Sequence, residues 1–167
     1  IAGTKVIKDL KDLAEDDNVK AVVLRVNSGG GSAYASEQIW HQVMNIKSQK
    51  PIIVSMGDMA ASGGYYISCA ADYIYAEPTT LTGSIGIFGM FPNASELLNN
   101  KLGIHSNTVK TNEFADFGDF TRPFTNKERT VVQNYINNGY ELFTRRCADG
   151  RNMRQEEIKQ IGVGRVW

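Results

Sequence analysis

Ser62 is the residue of this sequence whose surroundings best suit a nucleophile. It lies in the segment 55–72, which leaves a predicted strand, passes through small residues and enters a strongly apolar helix. Because a helix N-terminus stabilises developing negative charge, and because Gly63 and Gly64 let a substrate backbone come close, a serine here can attack a carbonyl carbon. The same spacing also suits a serine that only caps the helix, so both interpretations stay open.

The loop Asn27–Ser32 presents successive glycine N–H groups that no side chain obstructs. Such a loop can receive an anion, either a reaction oxyanion or a phosphate, or it can be a plain tight turn. A Walker loop needs Gly-Lys-Ser/Thr, whereas Gly31 is followed directly by Ser32. A dinucleotide loop that starts at Gly29 needs a final glycine where Tyr34 stands. The phosphate motifs therefore do not fit, and an oxyanion hole is the chemical interpretation of this loop.

A histidine base for this serine is hard to find, because the sequence contains only His41 and His105. His41 falls in the middle of a predicted helix and His105 at the start of a predicted strand, positions typical of surface or core histidines. An esterase elbow is also disfavoured, since Ala60 stands where that motif requires glycine. A serine without a histidine indicates a Ser-Lys dyad, in which a lysine of lowered pKa takes the proton.

Hydrophobic periodicity predicts a strand, crossover helix and strand around these loops. The expected elements of the first half are a helix at 4–18, a strand at 20–27, a helix at 33–46, a strand at 51–56, a strand at 71–77 and a short strand or turn within 81–89. This order predicts an α/β fold with a largely parallel sheet, whose functional loops lie at the carboxyl ends of the strands.

In the second half of the sequence, the pattern predicts helices on either side of a long loop. We expect a short helix at 95–103, a strand at 104–110 and a loop at 110–125. Thr125 and Glu128 then form a capping box that opens a long helix.

Composition excludes several other classes of protein. The 167 residues suffice for one globular domain, and 18 basic residues balance 18 acidic ones, so no overall field favours nucleic acid or an anionic membrane surface. No apolar stretch approaches the ~20 residues of a membrane-spanning helix. Cys69 and Cys147 lack the spacing of a zinc site, so we expect no metal and two buried thiols.

Three motifs, in this order and spacing, resemble one enzyme family. The sequence reads LRVNSGGGS at 24–32, SMGDMAASGGYYIS at 55–68 and LTGSIGIFG at 81–89, and it closes with GRVW. Together these motifs resemble the signal peptide peptidase A family, also called protease IV, and within it the carboxyl-terminal half of the long, two-repeat bacterial form. The resemblance covers nearly the whole chain. It implies a crotonase/caseinolytic-protease-like fold with βαβ units and flanking helices.

The resemblance also implies a role for each motif. Ser62 corresponds to the nucleophile of a Ser-Lys peptidase, Gly30 to an oxyanion-hole donor beside the Ser62 N–H, and Ser84 to the hydroxyl that orients the lysine. The family is anchored in the bacterial inner membrane with its catalytic domain on the extracytoplasmic side, and it degrades signal peptides and other short apolar peptides. The resemblance therefore implies a homo-oligomer, with a tetramer favoured, and no cofactor or metal.

The sequence departs from the family pattern at two positions. Gly29 replaces the usual proline of the loop, which leaves the N–H donors in place. Ala115 stands where short, single-repeat members carry the lysine base, and Lys110 nearby is expected to be solvated. In the long form the base comes from the amino-terminal repeat. Residues 1–167 are therefore expected to be one α/β peptidase domain, a piece of a longer two-repeat chain that holds half an active site.

Two other functions stay open beside a serine endopeptidase. A crotonase-like acyl-CoA enzyme would use the same pair of N–H groups for a thioester oxyanion, but it does not need Ser62. A non-catalytic repeat that only shapes an oligomeric protease would account for Ala115 but not for the serine. The phenylalanines between 114 and 124 are expected either to line an apolar substrate groove or to cover the core.

Overall fold

The computed structural model describes residues 3–167, which form two units. The first unit comprises residues 3–87 and 139–167 and holds the sheet, and the second comprises residues 88–138. No helix within residues 3–167 has the length and hydrophobicity to cross a membrane. In chain order the elements are α1 (Gly3–Glu15), β1 (Val22–Ser28), α2 (Ala33–Lys47), β2 (Ile52–Ala61), α3 (Gly63–Ser68), β3 (Tyr73–Tyr75), β4 (Leu81–Gly83), a π-helical turn (Leu97–Lys101), α4 (Asn126–Arg151) and α5 (Gln155–Gly162).

Strand β2 is the centre of a four-stranded parallel sheet. Strand β1 pairs with one edge of β2, starting with Val22 opposite Ile52, while β3 and β4 pair with successive parts of the other edge. Helix α2 makes the crossover from β1 to β2, as the sequence predicts. Because β1 and β2 are parallel, they end at the same edge of the sheet, and the loops that follow them lie together there.

An irregularity in the pairing of β1 with β2 brings these loops into close contact. Val26 lies opposite Met56 but Ser28 lies opposite Ala60, so β2 bulges over this stretch. The Asn27 side chain fills the bulge, since its Oδ1 accepts a hydrogen bond from the Met59 N–H at 3.1 Å. A bulge bends the strand that carries it, and here it directs the end of β2 toward the loop after β1.

Apolar side chains of the first two helices and the two long strands form the core of the first unit. On the helices they recur every three or four residues, and on β2 they alternate, which are the periods of a helix and a half-buried strand. The buried residues of these elements include Leu10, Ala14, Ile39, Val43 and Ile46 on the helices and Val22, Val26, Ile52, Val54 and Met56 on the strands. Each fully buried aliphatic side chain of this size stabilises the fold by roughly 1.5–3 kcal/mol.

Cys69 and Cys147 are both buried, as expected, and the structure shows them unbridged. The Cys69 thiol donates to the carbonyl of Tyr66 at 3.1 Å, and Arg151 Nε donates to the carbonyl of Cys69 at 2.8 Å. The hydrogen bond with Cys69, together with burial, raises the pKa of the Cys147 thiol. The end of α3 is therefore packed against α4 within the first unit.

The carboxyl-terminal segment adds contacts that the sequence did not predict. Helix α5 was not expected, and the residues after it run along β4. Thr82 and Trp167 exchange backbone hydrogen bonds of 2.8 and 2.9 Å, and the Ser84 N–H donates to the carbonyl of Arg165 at 2.9 Å. This pairing covers the edge of β4 that β2 leaves open.

The second unit differs from the prediction in its first part. Residues 104–110 form no strand and are exposed, with Val109 fully so, because no neighbouring strand pairs with them. The helix expected at 95–103 is mostly a π-helical turn, in which the Leu102 N–H donates to the carbonyl of Leu97 at 3.0 Å. The irregular loop expected at 110–125 is confirmed. Strand propensity at 104–110 was insufficient without a partner.

The predicted capping box at the start of α4 is confirmed. The Glu128 N–H donates to Thr125 Oγ1 at 3.2 Å, and the Thr125 N–H donates to the Glu128 carboxylate at 2.7 Å. Arg122 bridges this buried carboxylate, at 2.7 Å, to that of Asp116, at 2.8 Å. The hydrogen bonds from Arg122 and Thr125 lower the pKa of Glu128 to about 2, and those from Arg122 and Lys110 lower the pKa of Asp116. Ion pairs of Arg122 with Asp116 and Glu128 therefore hold the start of helix α4 in place.

We expect Arg122→Met to lower the thermal stability of the protein, because it leaves the Glu128 carboxylate buried without its guanidinium partner. The loss should be full at neutral pH, above the usual pKa of a glutamate. It should shrink as the pH falls to about 2, since protonation of Glu128 removes the ion pair from the wild type as well. Circular dichroism melts across this pH range measure the effect.

Lys127→Met is the control for this experiment, since it removes an ion pair with Glu113 in which both side chains are largely exposed. Such a pair contributes little to stability. Equal losses for the two variants at neutral pH would contradict the anchoring role of Arg122.

Candidate active site

Ser62 occupies a strained turn between β2 and α3. Its backbone has φ 52° and ψ −120°, a region that residues with a Cβ rarely adopt. Its side chain makes no capping hydrogen bond to α3. The interpretation of Ser62 as a residue that only caps the helix is therefore wrong, because its hydroxyl makes no hydrogen bond to the first N–H groups of α3. Strain of this kind persists only where the surrounding structure holds it in place.

Backbone hydrogen bonds on both sides hold the Ser62 turn. The Ser62 N–H donates to the carbonyl of Gly83 at 2.9 Å, and the Ser62 carbonyl accepts from the Tyr66 N–H at 2.9 Å. The first bond extends the pairing of β2 with β4, in which Ala61 lies opposite Gly83. It also corrects one expectation: the Ser62 N–H already has a partner and is not a free oxyanion donor.

The loop Asn27–Ser32 packs directly on this turn. A Cβ placed on Gly30 would lie 2.9 Å from the Ser62 Cβ and 2.7 Å from the Gly63 nitrogen. Gly30 and Gly31 have φ of 103° and 146°, so this loop requires glycine for its conformation as well as for space. The structure therefore brings Ser62 and Gly30 together.

Two N–H groups near Ser62 can serve as oxyanion donors. Gly63 is the first residue of α3, so its N–H has no acceptor within the helix, and it faces Gly30. The Gly30 N–H donates to the Ser28 hydroxyl at 3.1 Å in this conformation. An oxyanion at this position would replace a neutral hydroxyl as acceptor, and a charged acceptor makes the stronger hydrogen bond.

Ser84 lies beside the Ser62 turn, immediately after β4. It follows Gly83, whose carbonyl accepts from the Ser62 N–H. Its own φ is 49°, and its N–H is held by the carbonyl of Arg165 at 2.9 Å. All three predicted site residues therefore lie in the first unit, at the carboxyl ends of neighbouring strands.

No lysine amino group contacts Ser62 in the part of the chain that the structure describes. In the first unit Lys47 donates to the carbonyl of Ala70 at 2.7 Å, and Lys159 pairs with Glu141 at 2.9 Å. Lys110 belongs to the second unit and pairs with Asp116 at 3.0 Å, so it is ion-paired rather than only solvated. These amino groups are held by acceptors other than a serine hydroxyl.

The two histidines contact side chains other than that of Ser62. His41 Nε2 lies 3.3 Å from the Glu37 carboxylate, on the exposed side of α2. His105 Nδ1 lies 3.1 Å from the Asn99 side chain in the second unit. This is consistent with the interpretation of both as structural or surface residues.

A cluster that the sequence did not predict joins the helix after the loop to the helix after Ser62. The Glu37 carboxylate on α2 accepts a hydrogen bond from Tyr66 Oη on α3 and one of 2.6 Å from Arg146 on α4. Burial disfavours the ionised carboxylate, but these hydrogen bonds outweigh it, and the pKa of Glu37 is lowered. Burial and the bond to Glu37 raise the pKa of Tyr66. The sequence pattern around Glu37, near the start of a predicted helix, does not indicate these partners.

The phenylalanines of the second unit form a partly exposed group. Phe117 stacks on Phe124 with ring centroids 5.5 Å apart, and Phe91 packs on Phe124 at 5.1 Å. Phe114 and Phe120 are exposed. A small cavity of about 170 Å³ lies beside Phe91 and Phe124. The group is thus more open than a core cluster.

Comparisons with known proteins agree on a peptidase family. Residues 44–167 match the model of peptidase family S49, and residues 2–81 match the Clp protease model. The chain is 44% identical over 166 residues to Protease 4 of Haemophilus influenzae. It is 34% identical over 168 residues to the chloroplastic serine protease SPPA of Arabidopsis thaliana and 38% identical over 162 residues to a putative signal peptide peptidase SppA of Enterococcus faecium.

These relatives are longer than the chain. The matches cover 99%, 100% and 96% of the chain but only 27%, 25% and 47% of the three relatives. Among solved structures, a point mutant of ClpP1 from Listeria monocytogenes matches with a TM-score of 0.62 over 98% of the chain and 72% of that structure, at 18% identity. This structural likeness confirms the predicted caseinolytic-protease-like fold.

We expect Gly64→Ala to destabilise the protein and displace the loop Asn27–Ser32. The new Cβ would lie 2.5 Å from the backbone carbonyl oxygen of Ser28, which cannot rotate away. Overpacking costs about 1–3 kcal/mol, against about 1 kcal/mol that alanine gains over glycine in a helix. Thermal melts measure the loss, and Gly86→Ala is the control, because a Cβ there has nothing within 4 Å. A Gly64→Ala protein as stable as the Gly86→Ala protein would contradict the tight contact.

Proposed function

Because the chain belongs to peptidase family S49, we propose that it carries the nucleophile half of a serine endopeptidase, with Ser62 as the nucleophile. The observation that carries this proposal is the strained turn at Ser62, held against Gly30. Such a backbone conformation costs of order 1–3 kcal/mol and is typical of functional sites. Neither an acyl-CoA enzyme nor a purely structural repeat requires a serine on this turn.

In the proposed reaction, Ser62 Oγ attacks the carbonyl carbon of a peptide bond while its proton passes to a base. The carbonyl oxygen becomes an oxyanion, which the N–H groups of Gly63 and Gly30 stabilise, the latter in exchange for Ser28. Collapse of this intermediate breaks the carbon–nitrogen bond, and the leaving amine takes the proton back from the base. An acyl ester on Ser62 remains. Water, deprotonated by the same base, then hydrolyses the ester and restores the hydroxyl.

The base in this proposal is a lysine from the amino-terminal repeat of the same protein, and Ser84 orients its amino group. The position of Ser84 supports this assignment, since it directly follows Gly83, whose carbonyl accepts from the Ser62 N–H. The length of the relatives also supports it, because the match covers only 27% of the Haemophilus protein. On this proposal residues 1–167 are one α/β peptidase domain of a longer, two-repeat chain.

The proposed substrates are cleaved signal peptides and other short apolar peptides at the membrane. The name of the Enterococcus relative supports this class. We propose that the full-length protein assembles as a homo-oligomer, with a tetramer favoured. Its catalytic domain would face the extracytoplasmic side of the bacterial inner membrane.

Labelling of the full-length protein with a fluorophosphonate, followed by mass spectrometry, tests the nucleophile. We expect the adduct on Ser62, and we expect Ser62→Ala to lower kcat/KM for an apolar peptide by a factor on the order of 10⁴ to 10⁶. Ser48→Ala is the control, because Ser48 is exposed and its hydroxyl donates only to the carbonyl of Asn45. An adduct on another residue, or an active Ser62→Ala protein, would overturn the assignment.

The 167-residue chain by itself should bind peptides but not hydrolyse them, because in this proposal its base lies elsewhere. We expect no turnover above background for the chain under conditions in which the full-length protein is active. Peptidase assays on the two proteins at equal concentration measure this. Robust hydrolysis by the chain alone would mean that it holds its own base.

A further inference from the structure

The Glu37 carboxylate lies between three helices of the first unit. It accepts hydrogen bonds from Tyr66 on α3 and from Arg146 on α4, the latter at 2.6 Å. Side chains behind these donors fix them in place. The Arg146 guanidinium lies 3.8 Å above the Trp40 ring, and the Tyr66 ring packs on Phe143 with centroids 4.6 Å apart. We call Glu37, Tyr66 and Arg146 the Glu37 cluster.

Both ends of this cluster connect to the candidate site within two turns of helix. Helix α2, which carries Glu37, begins where the loop Asn27–Ser32 ends, and Ser32 Oγ caps it by accepting from the Ala35 N–H at 3.3 Å. The backbone N–H of Tyr66 donates to the Ser62 carbonyl at 2.9 Å. A single carboxylate thus joins the helix after the oxyanion loop to the helix after the nucleophile.

The contact between Gly30 and Ser62 depends on how these two helices are placed. At Gly63, a Cβ would lie 2.5 Å from the buried Ser36 hydroxyl on α2, so α2 and the start of α3 meet without spare room. The Glu37 carboxylate and the Arg146 guanidinium are each about one-fifth exposed. An ion pair that has lost this much water adds little net stability over apolar packing. What its geometry provides instead is a fixed distance and orientation between its helices.

We infer that Glu37 is a positioning residue for the proposed peptidase reaction, which holds the Ser62 turn against the Gly30 loop through Tyr66 and Arg146. This inference rests on the proposed function. Displacement of a nucleophile by about 1 Å can cost roughly 100-fold in rate without any change in substrate binding. The role of Glu37 therefore concerns the rate of acylation and not the affinity for peptide.

The test compares variants of the full-length protein in peptide hydrolysis and in fluorophosphonate labelling of Ser62. We expect Glu37→Ala to lower kcat and the labelling rate by about 10- to 100-fold while KM stays within about twofold. Glu37→Gln keeps the shape and an acceptor for Tyr66, and it should restore part of the rate. Glu141→Gln is the matched control, since it neutralises an ion-paired carboxylate of the same unit, 2.9 Å from Lys159, and should change neither rate.

A double-mutant cycle separates positioning from general stability. Tyr66→Phe removes only the hydroxyl that donates a hydrogen bond to Glu37. It should therefore lower kcat when introduced into the wild type, but it should cause no further loss when introduced into Glu37→Ala. If Glu37→Ala does not fold, the same cycle is run with Glu37→Met, which fills a similar volume and leaves Tyr66 without its acceptor. Additive effects on kcat, or a loss of activity that only follows the fall in melting temperature, would overturn the inference.

Ser62→Ala in the same assays distinguishes a failure of the proposed function from a failure of the positioning role of Glu37. If Ser62→Ala stays active, the proposed function fails, and the role of Glu37 in it fails too. If Ser62→Ala is inactive and Ser62 takes the label, but the Glu37 variants match Glu141→Gln, only the positioning role is wrong.

Discussion

The close contact between the glycine loop after β1 and the turn after β2 is the constraint on which the rest of this site depends. A side chain at Gly30 or Gly64 would collide with atoms of the opposite segment, and one at Gly63 with Ser36 at the start of α2. Such an approach needs two parallel strands that end at the same edge of the sheet. The bulge in β2, which the Asn27 side chain fills, bends the carboxyl end of β2 toward the loop Asn27–Ser32. The sheet therefore places the backbone of the loop after β1 in contact with the backbone of the turn after β2.

Strain is stored at two serines and held by the elements around them. Ser62 and Ser84 both have positive φ, which costs of order 1–3 kcal/mol for each. Hydrogen bonds from their N–H groups to Gly83 and Arg165 stabilise the strained turns. The carbonyl of Arg165, which accepts from the Ser84 N–H, belongs to the carboxyl-terminal segment that runs along β4. The end of the chain thus contributes to the site although it carries no reactive group.

The candidate site lies in a chain that belongs to peptidase family S49. A hydroxyl and two N–H groups lie together at one sheet edge, and the base is proposed to come from elsewhere in a longer protein. Electrostatic preorganisation of oxyanion donors is usually the largest contribution to catalysis of this type. It depends on backbone placement, to which the glycines of the two segments contribute here and, on our proposal, the Glu37 cluster as well.

Features that depend on local interactions follow from the order of the amino acids alone, whereas features that join distant segments arise only when the helices and the sheet pack. The strands and helices around Asn27–Ser32 and Ser62 follow from hydrophobic period, and the Thr125–Glu128 capping box from a spacing of three residues. The expected strand at 104–110 did not form, because strand propensity needs a partner. The occupied N–H of Ser62 depends on where β4 lies, and Glu37 meets Arg146 across 109 residues of chain. Such pairs carry no local signature, since they result from how the helices and the sheet pack.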